Sequence, residues 1–213
     1  MMKSTMKKII VASLIIPIII LGFFLLNSEI NNSTQDSDSR LVRPTDYTPA
    51  IALEEKVAPD FTLVDQDGQE FTLSESSDKI SLIYFGYTNC PDVCPLVLAN
   101  FAAVARALGG DSDRIQMLMI TTDPQRDTSE VLGNYVELFD SRIKGLTGNK
   151  EQLDSVWAAY NVPFEYVRIG NGTDYLVAHF SLVLVVDKDQ VLRFAFTPEM
   201  SKDEYIQGVK SLL

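Results

Sequence analysis

Cysteine is almost missing from this chain. Its 213 residues include two cysteines, Cys90 and Cys94, a single histidine, His179, and a single tryptophan. Basic residues are also scarce, 18 against 29 acidic ones. Three of the lysines stand before residue 9, so residues 27–213 carry 15 basic and 29 acidic side chains, a net charge of −14. Nucleic-acid recognition normally starts from a basic patch, and a domain this acidic repels the phosphate backbone. Solubility accounts for the acidity, which also permits a basic partner or a cationic cargo. There is no internal repeat, and no low-complexity tract outside residues 27–50, so one globular domain is expected.

Charge is absent altogether from "IIVASLIIPIIILGFFLL" (9–26), whose 18 residues match the length of a transmembrane helix. Lys3, Lys7 and Lys8 precede it, which by the positive-inside bias keeps the N-terminus in the cytoplasm and sends the rest across. A cleaved signal peptide has a similar outline, but the run is long for one and no small-x-small site follows. No cysteine lies near its end, which excludes a lipoprotein anchor. The expected organisation is a cytoplasmic start (1–8), an uncleaved transmembrane anchor (9–26), a flexible tether (27–50) and a folded domain (51–213). With no organellar targeting sequence, the expected setting is a bacterial cytoplasmic membrane, with the domain facing the periplasm or outer surface.

Within the domain, "APDFTLVDQDGQEFTLSE" (58–75) alternates apolar and polar residues around a Gly68 turn, a hairpin pattern. "KISLIYFGY" (79–87) and "RIQMLMITTD" (114–123) are near-continuous apolar runs, expected of strands buried on both faces. Helices are expected over 95–110, over 127–139 with Asp127 and Glu130 as a capping-box-like start, over 150–162, and over 201–213. "HFSLVLVVDKDQVLRFAF" (179–196) reads as a hairpin turning near Lys188-Asp189. This order implies an α/β sandwich with a mixed central sheet and helices on both faces.

Both cysteines fall where strand 79–87 gives way to a helix. The carboxyl end of a strand in an open α/β sheet is a favoured ligand position, and a helix N-terminus favours thiolate over thiol. Pro91 and Pro95 stiffen the loop, and ionised, accessible sulfurs are expected. A purely structural disulfide has little purpose: bridging so short a loop removes little chain entropy, and the domain is large enough to fold without it. Spacing alone leaves redox pair and metal clamp open. His179 is the deciding residue. A lone histidine at a strand edge is ordinarily structural, but in a parallel-type sheet the start of its strand lies near the cysteine loop. Two thiolates and one imidazole form a soft, three-coordinate set that suits Cu(I), whereas structural zinc takes a fourth protein ligand.

Four stretches, "FGYTNCPDVCP", "TTDPQRDT" (121–128), "GLTGNKEQL" (145–153) and "YLVAHFSLVLVVD" (175–187), resemble in order the signature blocks of the Sco/SenC family. The resemblance spans roughly residues 55–200. It implies a thioredoxin-like, three-layer copper protein behind one membrane anchor, serving the dinuclear copper site of cytochrome c oxidase. Cys90, Cys94 and His179 are then the metal ligands, with copper as Cu(I) or Cu(II). Asp123 corresponds to the family's acidic residue near the copper loop, although before Pro124 it also suits a plain turn. The implied partners are the oxidase's copper-bearing subunit and a periplasmic copper donor or thiol reductant. Asp92 is read as a turn former, and Arg126 and Asp127 as residues that hold and cap a helix. The chain departs from the family pattern at Ala178, where an acidic residue often precedes the histidine. It departs also at Asn89, often histidine, and at Gln190, usually a turn glycine.

Two functions of different class follow. One is a copper carrier without turnover; the other is a thiol-disulfide oxidoreductase that reduces a partner's cysteines. The CxxxC spacing, and a histidine where thioredoxin-like enzymes place proline, weigh against the second. A peroxidase, suggested by "APDFTL", lacks that family's threonine-x-x-cysteine arrangement.

Overall fold

In the computed structural model, residues 50–213 are described; the segments read as cytoplasmic start, anchor and all but the last residue of the tether lie outside them. The chain runs through β1 (Ile51–Val57), β2 (Thr62–Val64), β3 (Glu70–Thr72), β4 (Ile80–Gly86), α1 (Val93–Leu108), β5 (Ile115–Thr121) and α2 (Ser129–Glu137). It continues through β6 (Ile143–Leu146), α3 (Lys150–Ala159), β7 (Phe164–Arg168), β8 (Tyr175–His179), β9 (Val183–Val186), β10 (Val191–Phe196) and α4 (Lys202–Lys210). The main sheet is six-stranded, in the order β1-β10-β9-β4-β5-β6. β4, β5 and β6 are parallel, and β9, β10 and β1 extend the sheet antiparallel.

Every residue of β4 and β5 is buried, as their unbroken apolar runs require. Because successive side chains point to opposite faces, Leu82 and Tyr84 enter one core while Ile83 and Phe85 enter the other. Phe101 of α1, Leu132 of α2 and Tyr205 of α4 fill the first; Leu153, Val156 and Trp157 of α3 fill the second. The expected mixed sheet between helices is therefore what forms. With its following 3₁₀ turn, α1 is long and apolar enough to cross a membrane, but half of it is buried in this core.

The β2–β3 hairpin forms with Gly68 at φ +75°, a left-handed conformation that glycine adopts without strain. Gln190 holds the corresponding position between β9 and β10 at φ +60°. Asp187 Oδ1 steadies that turn by accepting hydrogen bonds from the N–H groups of Asp189 and Val191, both at 2.9 Å.

Three expectations need correction. Asp127 does not cap α2: Thr128 does, its hydroxyl accepting from the Val131 N–H, while Asp127 is wholly buried. The strand after His179 is not parallel to β4. It pairs antiparallel, with Val183 opposite Tyr84, and that direction carries its start to the cysteine end of β4. His179 itself closes a separate two-stranded hairpin, β7–β8, in which it pairs with Phe164.

Candidate metal centre

β4 ends at Gly86, and the loop that follows delivers Cys90 just before α1 and Cys94 in the first turn of that helix. Pro95 occupies the same turn, where its missing N–H leaves no hydrogen bond unmade. Asp92 stands at the N-cap position but its side chain makes no capping bond. Gly86 is required for space. A Cβ there would lie 2.5 Å from the Tyr84 ring and 3.1 Å from Cys94 Sγ.

His179 arrives on β8. Its Nδ1 lies 3.0 Å from the Phe180 carbonyl oxygen, and its Nε2 faces Cys94 Sγ at 3.6 Å. The backbone thus supplies the orienting acceptor that Ala178, in place of an acidic residue, does not. The ring is also held edge-on by Tyr87 and Tyr84, at centroid distances of 5.5 and 6.0 Å. The two sulfurs and an imidazole nitrogen all lie within 4.8 Å of one another.

Both cysteines are free thiols, and both are buried, Cys94 completely and Cys90 to 8 % exposure. The expected accessibility of the sulfurs is therefore not found. Their proton affinities diverge. The Cys94 thiol donates toward Cys90 and pulls its pKa down against the opposing effect of burial, helped by His179 and by the N–H groups of Asp92 and Cys94. That same partnership, with burial, holds the Cys94 proton in place, although the Tyr84 hydroxyl favours the thiolate. Cys90 thus favours the thiolate and Cys94 the thiol, and the titration belongs to both groups together.

Asp123 is fully buried but is not part of this cluster. It pairs with Arg126 and accepts a hydrogen bond from the Tyr175 hydroxyl at 2.8 Å. Asp127 is fixed by the Thr88 hydroxyl at 2.6 Å and the Thr121 hydroxyl at 2.7 Å, and so braces the loop two residues before Cys90. Neither the Tyr84–Cys94 contact nor the roles of Tyr87 and Tyr175 emerged from sequence. The signal available for Tyr84 was its place two residues before Gly86 on an inward-facing position of β4.

The donor set fits a soft monovalent ion: two sulfurs and one imidazole nitrogen, three candidate donors with little exposure. Fold and site together define an α/β domain built around a dithiol–imidazole cluster. The SCO1/SenC family profile matches residues 50–213, and the chain belongs to that family. A SCO2-like protein of Rickettsia felis is 34 % identical over 158 residues, covering 73 % of this chain and 76 % of the relative. ScoI of Bradyrhizobium japonicum, solved with copper bound, is 34 % identical with a TM-score of 0.68, covering 74 % of this chain and 100 % of that one. Yeast Sco1 with copper bound gives 32 % identity and a TM-score of 0.63, over 74 % of this chain and 91 % of that one.

Proposed function

We propose that this protein is a copper carrier that holds one Cu(I) between Cys90, Cys94 and His179 and hands it to the dinuclear copper site of cytochrome c oxidase. The observation that carries this reading is the convergence of two free thiols and an oriented imidazole nitrogen within 4.8 Å. Copper-bound relatives of the same fold support it. Copper is cargo here, and release proceeds by exchange of one sulfur ligand at a time with the cysteines of the receiving subunit. The Cys94 proton must leave on loading, so uptake releases a proton and strengthens as pH rises. In this reading residues 9–26 anchor the chain in a bacterial cytoplasmic membrane. Residues 27–50 tether the domain on the outer side, within reach of the oxidase and of a periplasmic copper donor or thiol reductant.

The unequal proton affinities of the two cysteines favour a second reading, a thiol-disulfide oxidoreductase. The Cys90 thiolate would attack a partner disulfide, forming a mixed disulfide and releasing one partner thiol. Cys94, after losing its proton, would displace the second, leaving Cys90–Cys94 oxidised and the partner reduced.

Anaerobic Cu(I) loading of the reduced full-length chain in mild detergent, against a competing chelator, separates the two. One tightly held copper that is lost in His179→Ala establishes the carrier. Weak binding indifferent to His179 transfers the dithiol to redox work.

A further inference from the structure

The imidazole is carried on a ribbon outside the main sheet, whose middle is held by Val177, buried in the core. Among the described residues β7 and β8 pair only with each other, apart from the main sheet, and Glu165–Arg168 along β7 are exposed. Two-stranded ribbons of this kind are marginal in isolation, so the position of His179 depends on whatever fastens the ribbon to the body.

One end, beside His179, is fastened by packing: Phe164 lies edge-on to Trp157 with ring centroids 4.5 Å apart. The other end is fastened by polar contacts to one turn, residues 122–126. Tyr166 donates its hydroxyl proton to the Thr122 carbonyl at 3.3 Å. Tyr175 donates to Asp123 Oδ1 at 2.8 Å. Arg126 donates from Nη1 to the Tyr175 carbonyl at 3.0 Å and from Nε to Asp123 Oδ2. Its guanidinium lies 3.7 Å from the centroid of the Tyr175 ring, a close cation–π stack. Asp123 itself is wholly buried, its N–H held by the Thr121 hydroxyl at 2.8 Å.

Tyr175 and His179 are the first and last residues of β8, four apart, and so lie on the same face of the strand. A rotation or slip of the ribbon at Tyr175 is therefore transmitted along β8 to the imidazole. We propose that Asp123, Arg126 and Tyr175 form a clamp that sets the position of His179 relative to the two sulfurs. All three are positioning residues: they act through β8 and hold no metal. This inference rests on the copper-carrier reading for its functional meaning, while its structural content stands apart from it.

The test is a double-variant cycle in the full-length chain. Tyr175→Phe keeps the ring, the strand and the backbone carbonyl and removes only the hydroxyl; Arg126→Lys keeps the charge and loses the planar stack. Each is made alone and together with His179→Ala, and Cu(I) affinity is measured by chelator competition, with a weaker chelator in the His179→Ala background so that the residual hold of the two sulfurs is read. Residues that orient a ligand typically change metal affinity by roughly tenfold to a hundredfold, and a loss near the lower end is expected for each single variant. In the His179→Ala background the clamp substitutions are expected to cause a much smaller loss, because β8 then reaches the sulfurs through Tyr87, beside Val177 and Cys90, and no longer through a ligand. Equal losses with and without His179, or no loss in either single variant, overturn the clamp.

A copper-independent readout keeps the two ideas separable. If the wild-type chain holds no copper, the carrier reading fails. Amide hydrogen exchange across β8 and the ring ¹⁵N resonances of His179 in the metal-free chain then decide the clamp alone. Faster exchange with shifted ring resonances in Tyr175→Phe supports it; wild-type exchange and resonances overturn it.

Discussion

The hydroxyl of Tyr84 donates a hydrogen bond to the sulfur of Cys94 at 3.2 Å, and neither residue exposes any surface. Burial, reinforced by the nearby Cys94, pushes the phenol far above its ordinary range, so the proton stays on oxygen and the group is a permanent donor. A permanent donor stabilises sulfur as thiolate, the form that binds copper.

Tyr84→Phe therefore leaves the fold intact at a cost of about 1 kcal/mol, the usual net value of one buried hydrogen bond. It also weakens Cu(I) retention, because the proton on Cys94 becomes harder to remove. Urea titration gives the first quantity and chelator competition the second. Unchanged copper retention would show that the phenol only packs.

Gly86→Ala is expected to damage the same place by crowding. The added methyl meets the Tyr84 ring at 2.5 Å and the Cys94 sulfur at 3.1 Å, and overpacking a tight core costs about 1–3 kcal/mol. Thermal melting and copper retention should fall together in this variant. A melt equal to wild type with full retention contradicts the crowding.

The cysteine pair sets a pH signature. Cys90 has a folded pKa below its free value of 9.0. Its contribution to stability is thus fully present above that value and is lost as pH falls through the folded pKa. Cys94 is shifted upward, so its contribution is present below its free value and fades as pH rises above it. In the metal-free chain, alkylation at pH 6 followed by mass spectrometry should label Cys90 before Cys94. Cys94→Ala should leave Cys90 less reactive at that pH, since the chief stabiliser of its thiolate is removed. Equal labelling of both sulfurs at pH 6 would refute the assignment.

Asp127 offers a test of the other brace. Burial raises its pKa, against the hydrogen bonds from Thr88 and Thr121. A carboxyl with a raised folded pKa favours the fold below its free value and ceases to do so as pH rises through the folded one. Thr88→Val removes a 2.6 Å donor and should cost about 1–3 kcal/mol at neutral pH, the penalty for leaving a buried acceptor short of a partner. At pH 4 the penalty should shrink, because a protonated carboxyl needs that donor less. Denaturant melts at the two pH values measure the difference.

The candidate site was legible in the sequence to the extent that its donor residues are rare. With two cysteines and one histidine in the whole chain, few soft-metal sets can be written, and the buried strand before Cys90 fixed where two of them had to stand. The ribbon that carries His179 was not legible. Most of its residues face solvent, so no period-2 apolar signal marks it, although Gly170 at φ +61° and the Asn171-Gly172 pair mark its turn. Asp127 was misread for a related reason. With Glu130 three residues on it imitates a capping box, while its actual partner, Thr88, lies 39 residues earlier in the chain. The edge strand β1, exposed along almost its whole length, left no signal either.

The contact between Cys94 and His179 joins residues 85 positions apart. Closing a loop of that length is an entropic cost met only when the intervening strands and helices are in place. A chain still emerging, or one stalled partway, owns two cysteines four residues apart and no imidazole beside them. The complete donor set therefore forms only once the fold is in place, and in the carrier reading full affinity for the ion belongs to the folded protein alone.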